Sequence, residues 1–281
     1  MQENTDKIVS DIYNKSFEKY LEVKFHKNVP KQLAKLINDN LPDPSSFEKR
    51  EGIEVLKLGR QRFVYRTFLN DKIYSSIIVK LFPLRNPASF IKYKKYAPRE
   101  YANSSTAVSM GIATPKPLCL VIYRKLGFVI GTGIIIEDLY GYKNIKEIGV
   151  NNLENYLGAC LQSIPLFSEL YNKGANHTDI RDENIMINSN KSPNMACKVI
   201  DWQYANFVKP KANWLLEHLC SNFIRNAPSD FKEALESRWL AAIHEKSQSE
   251  INRDLFINRV KILVKKKTST RSKLSLSPVG I

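Results

Sequence analysis

One stretch of the chain sets the terms for all the others: Gly174-Ala175-Asn176-His177-Thr178-Asp179-Ile180-Arg181-Asp182-Glu183-Asn184, followed by Ile185-Met186-Ile187 and by a second apolar run, Lys198-Val199-Ile200, that stops at Asp201. Two carboxylates and a carboxamide at this spacing suit a reaction in which one Asp takes the proton of an attacking hydroxyl, while an Asn and another Asp hold a divalent cation. Asp179 is the candidate base. Asn184, five residues on, and Asp201 are the candidate metal ligands. The combination points to phosphoryl transfer, so side chains that grip a polyphosphate are expected upstream.

They occur in a consistent order. Ser75-Ser76-Ile77-Ile78-Val79-Lys80-Leu81-Phe82 is a β-branched, apolar run that contains a single lysine, and Lys80 is the candidate anchor for the α- and β-phosphates. Twenty residues later Pro98-Arg99-Glu100-Tyr101 opens a helical segment, where Glu100 can pair with Lys80 and hold it extended. Taken singly, Lys80 would be a solvated strand end and Glu100 a surface helix residue; their order changes that reading. Phe128 to Ile136 is a buried strand running into Glu137-Asp138-Leu139. The backbone at Glu137 and Leu139 is expected to act as a hinge between two lobes and to bind the adenine of ATP. Before Lys80, Val55 to Arg66 suits a strand, a tight turn and a returning strand, with Gly59 as its one glycine. A loop with so few glycines lets less backbone approach the phosphates, so Arg60 and Arg62 would add positive field there.

Around Asp179 the expectations differ by residue. His177 reads as a structural residue rather than a proton carrier, and Asp182 and Glu183 as solvated. Arg181, two residues past the base, is placed to offset charge on the γ-phosphate. Trp202 and Gln203 follow Asp201 with no glycine, so no backbone flip of the metal-binding Asp is expected.

Composition narrows the substrate and the compartment. The chain has 281 residues, and only 80 follow Asp201, too few for a long activation segment plus a large helical peptide-docking subdomain. No peptide substrate is expected. Cys119, Cys160, Cys197 and Cys220 form no Cys-x-x-Cys pair and read as reduced core or surface thiols. No apolar run opens the chain or reaches membrane-spanning length, so a cytoplasmic protein is expected, with peripheral attachment at the inner face of the inner membrane. With 43 basic and 28 acidic residues the formal charge is +15, which calls for an anionic partner. Arg85, Lys92, Lys94, Lys95 and Arg99 alternate with Phe90, Tyr93 and Tyr96, and residues 261–281 hold six basic residues and no acid. Cations mixed with aromatics suit an anionic membrane surface. Nucleic acid is not expected as a partner.

The chain divides into a polar, partly helical extension (1–45), a small β-rich N-lobe (46–138), a mainly helical C-lobe carrying the catalytic loop (139–260) and a basic tail (261–281). In the extension Leu33, Leu36, Ile37 and Leu41 have helical spacing, closed by Pro42 and Pro44. In the C-lobe Leu153, Leu157, Leu161, Ile164, Phe167 and Tyr171 mark one face of a helix ending at Gly174; Pro165 inside the pattern would kink it, with two shorter helices as the alternative. Further helices are expected over 214–224, 231–244 and 250–264.

From about residue 57 to 205 the sequence resembles the lipopolysaccharide core kinases, the Kdo/WaaP group of small protein-kinase relatives. The resemblance rests on the strand with Lys80, Arg99-Glu100-Tyr101 leading to Gly111-Ile112-Ala113-Thr114-Pro115, the Glu137-Asp138-Leu139-Tyr140-Gly141 connector, the Gly174 to Asn184 loop, and Val199-Ile200-Asp201. It implies an α+β, bilobal protein-kinase-like fold and ATP and Mg²⁺ as cofactors, held by Lys80, Glu100, Asn184 and Asp201, with Asp179 as base. The acceptor would be a hydroxyl of an anionic glycolipid or sugar. Alternatives are a soluble small-molecule kinase of the aminoglycoside or choline type, and a kinase-like binding protein without turnover.

Overall fold

The computed structural model describes residues 12–13, 19–27, 29–39, 41, 52–59, 62–69, 74–150, 152–188, 190, 197–249 and 251–266. They fall into two compact units: Met1–Ser105 with Pro115–Tyr140, and Thr106–Thr114 with Gly141–Ile281.

The first unit is built on one antiparallel sheet. Its strands are β1 (Ile12–Tyr13), β2 (Lys19–Phe25), β3 (Ile53–Leu58), β4 (Phe63–Phe68), β5 (Ser76–Pro83), β6 (Pro117–Lys125) and β7 (Phe128–Glu137), in the order β1-β2-β6-β7-β5-β4-β3. Both faces are covered, and the two-residue period of β5 sorts its side chains between them. Ile77, Val79 and Leu81 join Val23, Tyr65, Val121 and Ile135 in a core completed by Leu33 and Ile37 of helix α1 (Lys31–Asp39). Phe82 joins Leu120, Ile134 and Ile136 in a second cluster, closed by Tyr93 of helix α2 (Pro87–Tyr93) and Ala97 of helix α3 (Tyr96–Ser109). Lys80 has the parity of Phe82, which turns it toward α3. Burying each such apolar side chain contributes about 1.5–3 kcal/mol. Gly133 of β7 sits opposite Leu81 because nothing larger fits: an added Cβ would lie 2.5 Å from Leu81 Cδ2.

Residues 19–39, grouped from sequence with a polar extension, supply β2 and α1 to this unit. β2 pairs with β6 over seven residues, and the helix expected from Leu33 and Ile37 is present with both side chains buried. Pro42 and Pro44 lie outside the described residues.

The second unit is mainly helical. Its helices are α4 (Ile145–Ile148), α5 (Leu153–Gln162), α6 (Ile164–Lys173), α7 (Leu215–Asn226), α8 (Leu240–Ser247, entered through helical turns from Lys232) and α9 (Arg253–Lys265). Ser163 and Pro165 divide α5 from α6, and Gly174, at φ 71°, caps α6 in the left-handed region. The centre of this unit is aromatic: Phe167, Phe223 and Trp239 meet with ring centroids 4.9–5.4 Å apart, and Trp239 Nε1 donates to Cys160 O at 3.0 Å. Short strands carry the loop of interest: β8 (Lys143–Asn144), β10 (Ile185–Ile187) and β11 (Cys197–Val199) form one sheet, and β9 (Ala175–His177) pairs with β12 (Ala205–Phe207). The β-rich unit and the mainly helical unit together give the α+β class expected of the sequence. All four cysteines are unpaired and buried; burial pushes the Cys197 thiol up to about 11. Lys261 and Lys265 of the basic tail lie in α9, and residues 267–281 lie outside the described set.

Candidate active site

In the first unit Lys80 reaches out of β5 to α3, where its Nζ meets Glu100 Oε1 at 2.5 Å. Both side chains are nearly removed from solvent, at 7% and 3% exposure. Ser104, one helical turn beyond Glu100, donates its hydroxyl to the Glu100 carbonyl at 2.6 Å. Gly59 stands at the turn between β3 and β4, its N–H donating to Arg62 O at 3.1 Å; Arg60 lies outside the described residues. Where β7 ends, Glu137 N–H donates to Lys116 O at 2.8 Å and Glu137 Oε2 accepts from Lys116 N–H at 3.1 Å. Leu139 is buried.

Between them Asp138 forms a contact the sequence did not signal. Its carboxylate accepts from Ser76 Oγ at 2.5 Å and from Arg66 Nε at 2.6 Å, and Arg66 also donates to Glu54 Oε2 at 2.6 Å. The end of β7 is thereby fixed to β3, β4 and β5 through side chains more than sixty residues away in sequence.

In the second unit the loop after β9 is held by backbone and side-chain bonds together. Ile180 N–H donates to His177 O, Asn184 N–H to Arg181 O, and Ile200 N–H to Asn184 O, at 2.9–3.2 Å. The last of these ties the residue before Asp201 to Asn184. Asn184 Nδ2 donates to the Asp179 carbonyl at 2.9 Å and lies 3.4 Å from Asp179 Oδ2. Arg181 Nη2 stands 3.6 Å from the same oxygen, and Arg181 Nη1 3.7 Å from Glu183 Oε2. Asp201 is at φ 69°, a left-handed conformation that Asp tolerates better than most side chains.

His177 is fully buried beneath this loop. Its Nε2 lies 3.0 Å from Ile200 O, so Nε2 carries the hydrogen, and its ring meets Trp202 edge-on at 5.0 Å. Burial holds the imidazole below its usual range, against the opposing influence of the Asp179 and Asp201 charges, which favours the neutral ring. Asp182 departs from expectation. Rather than being solvated it is buried, with Tyr156 OH 3.3 Å from Oδ2 and the Glu183 N–H donating to Oδ1 at 2.9 Å. Burial holds its carboxyl above the usual carboxylate range. Glu183 is half-exposed and paired with Lys146 at 2.7 Å.

No family model and no curated protein matches the chain. Among solved structures it is similar to WaaP in complex with acyl carrier protein, at 13% identity and a TM-score of 0.45, over 75% of this chain and 89% of that one. It is also similar to the bifunctional kinase-methyltransferase WbdD, at 16% identity and a TM-score of 0.42, over 74% of this chain and 44% of that one. The chain thus spans less than half the length of WbdD.

The donor set of the second unit fits a magnesium ion. Asn184 donates its amide N–H to Asp179, which leaves Asn184 Oδ1 as an acceptor, and Asp201 would add a carboxylate. Magnesium takes oxygen ligands, of which the protein need give only one or two when phosphates and water complete the shell. Thr114 and Trp202 meet in a contact that was not foreseen from sequence. Thr114 Oγ1 donates to Val199 O at 2.8 Å and accepts from Trp202 Nε1 at 2.8 Å, while Val199 N–H donates to Ala113 O at 3.0 Å. Ala113 and Thr114 therefore hold the residues on both sides of Asp201. Both residues stood out in the sequence, Thr114 within the Gly111 to Pro115 run and Trp202 after Asp201, but their contact did not.

Proposed function

We propose that the protein is an ATP- and Mg²⁺-dependent phosphotransferase that moves the γ-phosphate to a hydroxyl of an anionic, lipid-linked sugar. The observation that carries this is the Asn184 amide on the Asp179 carbonyl together with the Ile200 N–H on the Asn184 carbonyl, which put a candidate base and two candidate metal ligands on one small frame. The Lys80–Glu100 pair supports it, because a lysine held extended on a strand suits phosphate oxygens.

In this reading Asp179 orients the acceptor hydroxyl and takes its proton as the new O–P bond forms and the bond to the β-phosphate oxygen breaks. Lys80 would hold the α- and β-phosphates, Glu100 holds Lys80, and Arg181, beside Asp179, would meet charge on the transferred group. Gly59 would let backbone approach the phosphates, and the backbone at Glu137 and Leu139 would hold adenine. Bound at Asn184 and Asp201, magnesium would neutralise phosphate oxygens. Most of the rate gain comes from positioning and fixed charge. No helix among the described residues is long and apolar enough to cross a membrane, and in this reading attachment to the cytoplasmic membrane face is peripheral.

Labelled ATP offered with extracted core glycolipids, free sugars and proteins tests the proposal. Label is expected in a glycolipid and not in protein. Transfer to a free small molecule alone would favour the aminoglycoside- or choline-type reading, and no transfer to any acceptor would favour a binding protein. Asp179→Asn is expected to lower turnover at least about a hundredfold with nucleotide binding retained; near-normal turnover would refute its role.

A further inference from the structure

The tip of the β6–β7 hairpin is made the wrong way for a turn in water. Leu126 and Gly127 connect the strands, both at positive φ, 47° and 78°. Two-residue turns of this kind favour Asn-Gly or Gly-Gly, because a branched apolar side chain is disfavoured in the left-handed region. Here a leucine occupies it, 66% exposed, and Phe128 beside it is 77% exposed.

A second apolar projection leaves the same end of the sheet. β5 ends at Pro83 opposite Gly131, and Leu84 N–H donates to Ile130 O at 2.8 Å. Helix α2 starts three residues later with Asn86 as its cap. It presents Phe90 at 39% and Ile91 at 80% exposure. Isolated exposed apolar residues are ordinary, but these four stand in two segments, 84–99 and 116–136, that contain eight basic residues and no acid. Lys94 lies over the Phe90 ring at 4.4 Å and Lys92 over Tyr93 at 5.5 Å, so two exposed cations lie along apolar surface. Glu22, on the neighbouring β2, is taken up by Arg124 and Lys24 at 3.4 and 3.2 Å.

We propose that this edge of the first unit, the Leu126/Phe128 tip with the Phe90/Ile91 face of α2, is the surface by which the protein docks on an anionic phospholipid bilayer. Large apolar side chains enter the headgroup boundary while Lys92, Lys94, Lys95 and Lys125 meet lipid phosphates. The inference deepens the lipid-linked acceptor of the proposed function, yet vesicle binding is measured without any phosphoryl transfer.

The test is sedimentation of the full chain with vesicles of phosphatidylethanolamine and phosphatidylglycerol, against vesicles of phosphatidylcholine, in low and high salt. Salt-sensitive binding to the anionic vesicles alone is expected. Replacing Lys92, Lys94 and Lys95 by Gln should weaken it about a hundredfold, at about fivefold per cation. Leu126→Gly with Phe128→Ser should also weaken it, while the thermal midpoint holds or rises because glycine suits the turn. Wild-type protein that stays in solution overturns the docking surface, as do variants that sediment like wild type. Stronger retention on RNA than on vesicles, lost with the lysines but not with Leu126 and Phe128, assigns the surface to nucleic acid instead. Asp179→Asn should bind vesicles normally. Vesicle binding without phosphoryl transfer sinks the proposed function and leaves the docking surface, and transfer to a glycolipid without vesicle binding does the reverse.

Discussion

Lys80 and Glu100 meet at 2.5 Å between a strand and a helix of the first unit, with both side chains almost dry. Removing one partner leaves the other charge buried, whereas removing both does not. Glu100→Ala is expected to cost about 3–5 kcal/mol, and the double change Lys80→Met, Glu100→Met much less. Chemical denaturation should show that recovery while phosphoryl transfer stays lost in both. A double variant as unstable as Glu100→Ala would mean that the pair is not a closed unit.

His177 gives a pH dependence of definite sign. Unfolded, it titrates near its usual 6.5, while the buried native ring takes up a proton only at lower pH. Between those points the unfolded chain binds more protons, so stability rises with pH and is lost as pH falls below about 6.5, at up to about 1.4 kcal/mol per pH unit. Asp182, whose carboxyl is held up by burial, acts oppositely in more acid solution, where its protonation favours the native state. Urea midpoints between pH 5 and 8 should slope in wild type and flatten in His177→Gln. An equal slope in both would assign it elsewhere.

Thr114→Val removes one hydroxyl that serves two partners. Trp202 Nε1, a buried donor, loses its acceptor and Val199 O loses a donor. The expected cost is about 1–3 kcal/mol, accompanied by a changed tryptophan emission spectrum. Thr114→Ser, which keeps the hydroxyl, should restore most of it. Equal loss in both variants would point to the methyl group instead.

Gly174→Ala tests the turn that leads into β9 and the candidate catalytic loop. The residue is at φ 71°, and an added Cβ would collide with the Val208 carbonyl on the neighbouring backbone. Strain at the angle alone costs about 1–2 kcal/mol, and the collision adds to it because neither backbone is free to move. Thermal unfolding should drop by several degrees. An unchanged midpoint would show that the two segments separate easily.

How far the sequence carried depends on how far apart the interacting groups lie along it. The α6 cap at Gly174, the break at Pro165 and the Asp179 to Asn184 loop are local, and a single residue type at the right position announces each. Strand β2 was hidden because Lys19, Glu22 and Lys24 make the segment look polar, although Leu21, Val23 and Phe25 alternate beneath it. Asp182 was misread because its neighbours are charged, whereas its burial depends on Tyr156 of α5. Trp202 with Thr114, 88 residues apart, and Arg66 with Asp138, 72 apart, had no local pattern to reveal them.

The left-handed backbone at Asp201 also decides how that position can be probed. Asn and Gly are at home at φ 69°, whereas Glu, one carbon longer, is not. Exchanging Asp for Asn there cancels a charge and leaves the main chain undisturbed; exchanging it for Glu keeps the charge but bends its support. Of the two, only the amide gives a clean readout of electrostatics, and a dead Glu variant would be as much a failure of conformation as of chemistry.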